Sequence, residues 1–268
     1  MMPKDILNKF PDINLFKGYS KILDFCQPDY TIDWGIKQKF DSFSYVFTTR
    51  GCPNKCAYCV VWKIEDNWIN PTWKSHIDKD KPNVMVYDNN LSSQPIEHVE
   101  SVIKFLVDEK KGVCFDNGFD CKYIDKHIAE MLSGIRFVRN GMRLAFDRID
   151  DDVVFQKAVE TLLSAGIPKS AFMAYVLFNF TDTPKEANYR ATECVRLGIH
   201  PYPQQYVPLN KKNRDNPYIG KLWTRNLVRA FRFFWLMAGY FTKTDFETWV
   251  KSQDKYKLND EDWEKWNK

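Results

Sequence analysis

From residue 83 to residue 207 the chain repeats one pattern: a short apolar run stops at a polar cluster, and an amphipathic stretch follows. Asn83-Val84-Met85-Val86-Tyr87 stops at Asp88-Asn89-Asn90, and Pro95 opens a helix to about Lys110 with Ile96, Val99, Ile103, Leu106 and Val107 on one stripe. Val113-Cys114-Phe115 stops at Asp116-Asn117-Gly118-Phe119-Asp120, and a helix runs from Ile124 to Leu132. Arg143-Leu144-Ala145-Phe146 stops at Asp147, after which Asp150 or Asp151 caps a helix through Val159 and Leu163 to Gly166. Ala171 to Phe178 ends at Asn179 and Thr181-Asp182-Thr183, and Pro184 starts a helix that stops at Gly198. Gln204 to Val207 reads as a last short strand, and the β-branched and aromatic Ser42 to Thr48 as the first.

Strands alternating with helices of these lengths are parallel βαβ units joined by right-handed crossovers. The chain has fewer such units than the eight of a complete barrel. The expected fold class is therefore α/β, an incomplete parallel (β/α)6 TIM-like barrel. In parallel α/β folds ligands collect outside the carboxyl ends of the strands, where these polar clusters fall. Alternation along a strand puts Arg143, Ala145 and Asp147 on one face, and Tyr175, Leu177 and Asn179 on one face.

The first strand feeds directly into Thr48-Thr49-Arg50-Gly51-Cys52-Pro53-Asn54-Lys55-Cys56-Ala57-Tyr58-Cys59, which holds three of the seven cysteines. Thiolates are soft ligands that select zinc, copper(I) or iron-sulfur clusters. Closed zinc sites and ferredoxin clusters take four ligands, and a fourth is missing nearby. Three thiolates on a cubane of four irons leave one iron without a protein ligand, and an open coordination site is what a chemical centre needs. The rival reading is a noncatalytic iron-sulfur or zinc protein, or free thiols, with the loop as a structural or binding element. Cys26, Cys114, Cys121 and Cys194 are scattered and read as free thiols.

The spacing Cys52-x-x-x-Cys56-x-Tyr58-Cys59, with an aromatic residue before the last cysteine, resembles the signature of the radical S-adenosylmethionine (SAM) enzymes. The resemblance implies the same partial barrel, a [4Fe-4S] cluster on Cys52, Cys56 and Cys59, and SAM bound to the open iron with Tyr58 against its adenine. It implies one-electron cleavage of SAM to a 5′-deoxyadenosyl radical that takes hydrogen from a substrate, and a flavodoxin- or ferredoxin-type reductant. The family's Gly-Gly-Glu-like motif is absent. Asp88, Asn89 and Asn90 stand at the equivalent position as acceptors for the SAM amino group, although turn chemistry suits the same residues. Asp116, Asn117, Asp120 and Asp147 are candidates for ribose hydroxyls or substrate, against the reading of loop turns. Arg143 either neutralises a carboxylate or pairs with Asp147; Tyr175, Asn179 and Tyr206 either line the adenine or substrate side or serve as core and caps.

With 268 residues and 16% aromatics, one large α/β domain with a bulky core is expected, divided as a covering segment 1–40, a core 41–210 and a helical extension 211–268. A net charge of +4 demands no polyanionic partner. Its basic residues do gather in Lys211, Lys212, Arg214, Lys221, Arg225, Arg229 and Arg232. That face is open to two readings: cations tracking nucleic-acid phosphates, or a solvated helix packed through Leu227, Phe231, Phe234 and Met237. No long apolar run follows the first lysine, so no secretory signal or membrane anchor is expected, and the location expected is cytoplasmic. The four histidines show no metal-ligand spacing, and no phosphate loop, nucleophile elbow or His-Glu-x-x-His motif occurs. The substrate is an unidentified small molecule or nucleotide, with nucleic acid among the candidates; neither a cobalamin domain nor a cysteine-rich module is expected.

Overall fold

The structure, a computed structural model, describes residues 20–31, 41–209 and 218–268. Eight strands occur among them: β1 (Phe43–Val46), β2 (Thr49–Arg50), β3 (Trp68–Ile69), β4 (Asn83–Val86), β5 (Gly112–Phe119), β6 (Phe137–Ala145), β7 (Phe172–Phe178) and β8 (His200–Gln205). The helices are α1 (Lys21–Phe25), α2 (Val61–Ile64), α3 (Ile96–Glu109), α4 (Lys126–Leu132), α5 (Asp152–Ser164), α6 (Pro184–Leu197), α7 (Arg225–Leu236), α8 (Ala238–Phe241), α9 (Phe246–Lys251) and α10 (Asp260–Trp266). Six strands form one sheet in the order β1-β4-β5-β6-β7-β8, every neighbouring pair parallel, while β2 and β3 form a separate antiparallel pair. The order follows the chain without reversal, and the sheet is open, with β1 and β8 at its edges.

Alternation along β6 and β7 separates two faces. Leu144, Phe146, Val176 and Phe178 are buried in the main core, where Phe146 stacks on Phe155 of α5 at 4.3 Å. Arg143, Ala145 and Asp147, on the other face, are half-buried. The crossovers from β4 to β8 each carry a helix, and their ends obey local rules. Thr183 and Glu186 form a reciprocal capping box at the start of α6, and Gly198 ends it in the left-handed region.

Three element boundaries depart from expectation. β5 runs through Asp116-Asn117-Gly118, expected as a loop, by means of register shifts against β6. Gly118 permits this: its φ is +91°, and a Cβ there would stand 3.0 Å from the Arg143 carbonyl oxygen. β6 begins at Phe137, ahead of the expected Arg143. β8 covers His200–Gln205, ahead of the expected Gln204 to Val207, and includes Pro201 and Pro203. The Tyr206 N–H donates to Phe178 of β7, so the alternate positions 201 and 203 face the outer edge, where a missing N–H costs nothing and blunts further pairing.

Two apolar stripes are corrected as well. On α3 the buried residues are Val99, Val102, Ile103 and Leu106, whereas Ile96 stands 45% exposed at the first turn. On α7, Leu227, Phe231 and Phe234 are buried and Arg225, Arg229 and Arg232 face outward. Met237 does not join them; its extended backbone at the helix end breaks the helical repeat and leaves it exposed. α7 packs on β8, and α10 is tied to it by Asp262, which accepts from the Thr224 hydroxyl and, at 3.1 Å, from Asn226. Lys211, Lys212 and Arg214, and most of the segment 1–40, lie outside the described residues. Among the described residues no helix is long and apolar enough to cross a membrane.

Candidate active site

The cysteine loop leaves the end of β1 already anchored. Asp88, at the end of β4, accepts from the Thr48 N–H at 2.6 Å, from the Thr48 hydroxyl, and from the Thr49 hydroxyl at 3.0 Å. Burial pushes this carboxyl up to about 6, against the lowering effect of its donors. Arg50 then grips Asp24 of α1 through Nε at 2.9 Å and Nη2 at 2.5 Å, with its guanidinium 3.4 Å over the Phe47 ring centre. Gly51 has φ +73°, and a Cβ there would meet the Asp66 carbonyl oxygen at 2.5 Å, so the turn into the cysteines admits only glycine. Glu65 completes the base: its Oε2 accepts from the Gly51 N–H at 3.2 Å and from Asn89 at 2.8 Å.

Cys52, Cys56 and Cys59 are half-buried and line one cleft of about 470 Å³ at the carboxyl ends of the strands. The Asn90 amide points at the Cys52 sulfur at 3.6 Å, and the Trp62 indole N–H holds the Cys56 carbonyl at 3.2 Å. Burial raises the Cys52 thiol, partly offset by hydrogen bonds from Asn54 and Asn90, and the neighbouring Cys56 and Cys59 raise it further. Asp147 faces the loop from the end of β6, accepting from the Tyr58 hydroxyl at 2.9 Å. Its carboxylate is enclosed and its Oδ1 is buried without a partner. Burial lifts Asp147 to about 6 against the pull of Tyr58 and Arg190, while burial and the Asp147 charge drive the Tyr58 hydroxyl far up. Asn54 donates to Asp120 at 2.8 Å, reaching the segment after β5. On the β8 side, Tyr58 lies edge-on to Phe180 at 5.8 Å, and Phe180 meets Tyr206 at 4.6 Å.

Cys52, Cys56, Cys59, Tyr58, Asn89, Asn90 and Asp147 are thus brought to one cleft. Asp88, Asp116 and Asn179 are not among the residues lining it. Asp88 is turned into Thr48 and Thr49. Asp116 pairs with Arg143. Asn179, at φ +69°, accepts from the Gly220 N–H at 2.8 Å and donates to the carbonyls of Tyr206 at 3.1 Å and Tyr218 at 3.2 Å, splinting the end of β7 to the segment beyond β8. Of the two readings of Arg143, the pairing with Asp147 does not form, and the carboxylate it neutralises is Asp116. Four residues along a strand span about 13 Å, whereas Asp116 lies on the adjacent strand, next to Phe115, which is registered with Met142. Arg148 likewise pairs with Asp150, at 2.5 Å, and not with Asp147.

Three further residues contribute. Asn54 and Glu65 carry no pattern that would single them out. Arg190 does: Ala187, Arg190, Ala191 and Cys194 form the buried stripe of α6, and a charge within such a stripe needs partners. It finds them in the Phe146 and Leu177 carbonyls, at 2.9 and 2.8 Å from Nη1, and in Asp182 at 2.7 Å from Nη2. Arg190 thereby locks the ends of β6 and β7 together beneath the cleft.

Among the described residues no three His, Cys, Asp or Glu side chains are gathered as a site for a single metal ion. A scan of the chain against models of protein families finds no match, and no curated protein is similar to it in sequence at a significant level.

Proposed function

We propose that this chain is a radical SAM enzyme, with Cys52, Cys56 and Cys59 as the thiolate ligands of a [4Fe-4S] cluster whose fourth iron takes SAM. The observation that carries the reading is the convergence of the three loop thiols on one cleft at the carboxyl ends of a parallel sheet, where a fourth cysteine of the lining, Cys121, is buried with its thiol toward the Ala145 carbonyl at 3.9 Å. The sheet itself, in unreversed order and open between β1 and β8, is read as the partial barrel. The residues present fit the group: the sulfurs share one cleft, Asn90 offers an N–H to the Cys52 sulfur, and an enclosed carboxylate oxygen of Asp147 awaits a donor.

Held by Cys52, Cys56 and Cys59, such a cluster would supply the electron, drawn from an external reductant, for cleaving SAM. The chain's own part is placement and shielding. Asn90, by donating to Cys52, holds the loop and helps set the cluster potential, which hydrogen bonds to sulfur and solvent exposure tune. Tyr58, Phe180 and Tyr206 offer an aromatic wall for adenine. Asp147 and Asn89 offer acceptors for hydroxyl or amino groups at the rim. Ala145, Val154 and Leu177 are part of its apolar lining and limit water. A reductant of flavodoxin or ferredoxin type and the reducing cytoplasm suit such a centre.

Anaerobic reconstitution tests the proposal. It should yield iron and sulfide at about four each per chain, a spectrum that changes on adding SAM, and 5′-deoxyadenosine under dithionite, all lost in Cys52→Ala, Cys56→Ala and Cys59→Ala. A single tightly held zinc and no SAM cleavage would make the loop a noncatalytic structural element instead.

A further inference from the structure

The face of the sheet that carries Asp147 and Ala145 continues downward to Arg143. On one strand face, alternate residues lie about 6.6 Å apart, so Arg143 forms a layer beneath the rim. Ala145, which lines the cleft, is the small residue between the two layers. In the lower layer Arg143 directs a single nitrogen at protein oxygens, and the Cys114 thiol is its further neighbour. Its Nη1 meets the Asp116 carboxylate, the Asp116 carbonyl at 3.1 Å and the Tyr175 hydroxyl at 2.6 Å, and that hydroxyl donates onward to the Asp116 carbonyl at 2.7 Å. Among the described residues the other edge meets no oxygen. Nε is buried without an acceptor, and no hydrogen bond from Nη2 occurs among the described residues.

A guanidinium N–H that is buried and unmet is costly, and the Nε/Nη2 pair is the flat fork that matches two oxygens of a carboxylate or phosphate. The side chains of Arg143 and Asp116 are 19% and 23% exposed, so the layer is not sealed. Its walls are aromatic: Tyr45 stacks with Tyr87 at 5.9 Å, and Tyr175 meets Tyr202 edge-on at 5.8 Å. Charge is graded from top to bottom, with the carboxyl groups of Asp120, Asp147 and Asp151 at the rim and the Arg143–Asp116 ion pair, neutral as a whole, below. A molecule with one anionic end is oriented by that gradient, its anion downward and its other end toward the cysteine loop.

We infer that the Nε/Nη2 edge of Arg143, reached from the cleft past Ala145, binds the carboxylate or phosphate of a small substrate between tyrosine walls. This deepens the proposed function and rests on the same cleft, but binding can be read without any SAM chemistry. The probes are benzoate, phenyl phosphate and, as the neutral control, benzamide, titrated against the full chain with and without reconstitution and followed by saturation-transfer NMR. Benzoate or phenyl phosphate should bind and benzamide should not, and the tighter of the two anions identifies the group. Arg143→Gln should weaken the anion by about tenfold or more. Ala145→Leu, which leaves Arg143 untouched, should block it, so a folding failure of the first variant does not remove the test. Equal binding of benzamide, no binding of either anion, or affinity unchanged in both variants would reduce Arg143 to a brace between Asp116 and Tyr175. Arg143-dependent anion binding in a chain that takes up no cluster would sink the radical reading and keep the anion site; the reverse pattern would do the opposite.

Discussion

The Tyr58 hydroxyl donates to Asp147 Oδ2 at 2.9 Å, binding the cysteine loop to the end of a strand 89 residues further along the chain. It is the side-chain hydrogen bond of that buried carboxylate, which has the Leu177 backbone as its other neighbour. Tyr58→Phe therefore takes the hydroxyl away from a buried carboxylate and should destabilise the fold by about 1–3 kcal/mol in urea titration. With Asp147→Leu as the second mutation, the double-mutant cycle should show coupling of about 1 kcal/mol or more. Simple additivity would mean that the contact carries no energy.

Asp88 should give the fold a distinctive response to acid. Its carboxyl keeps a proton up to about pH 6 in the folded chain, against an ordinary value of 3.8. Because the folded value is the higher, its contribution is full below about pH 4 and is lost as the pH rises through about 6. The unfolding free energy of the wild type minus that of Asp88→Asn should fall across that interval by on the order of 2–3 kcal/mol. A flat difference would show that its hydrogen bonds from Thr48 and Thr49 already outweigh burial.

Arg190 offers the sharpest test of how the floor of the cleft is held. Arg190→Met strands two backbone carbonyls and the Asp182 carboxylate, at a cost of about 3–5 kcal/mol. Arg190→Lys should recover only part of this, because an ammonium lacks the planar reach to serve both nitrogens' partners. Hydrogen exchange should quicken around Phe146 and Leu177 and leave β4 unchanged; uniform quickening would indicate general loosening instead.

The seven cysteines should divide by reactivity. Cys26 is exposed and Cys52, Cys56 and Cys59 are half-buried, whereas Cys114, Cys121 and Cys194 are buried. Burial lifts Cys114 to about 11 and the thiols of Cys121 and Cys194 higher still, so little thiolate forms there. In the cluster-free native chain, iodoacetamide should modify the first four and spare the last three, as read by peptide mass spectrometry. Rapid labelling of Cys121 or Cys194 would contradict their burial.

The parallel α/β layout was legible because each strand ends in a polar cluster and each helix has a sharp local boundary, such as the Thr183–Glu186 box. Directions of side chains at strand ends were less so. Asp88, Asn89 and Asn90 look equivalent as text, yet the fold turns the first into Thr48 and Thr49 and leaves the other two on the cleft. Asp116 read as a loop residue because Asp, Asn and Gly suit turns, but Gly118 lets the strand continue and hands Asp116 to Arg143. The service of Glu65 to both Gly51 and Asn89 depends on a chain return that no local periodicity encodes.

The cysteine loop stands like an arch on three separate feet: Asn90 reaching Cys52, Asn54 reaching Asp120, and Tyr58 reaching Asp147. Each foot rests on the end of a different strand. Cutting any one should leave the arch upright, so a single exchange at Asn54 or Asn90 is forgiven where the pair together is not. Such redundancy lets the residues around the loop vary one at a time without losing the place where chemistry would occur.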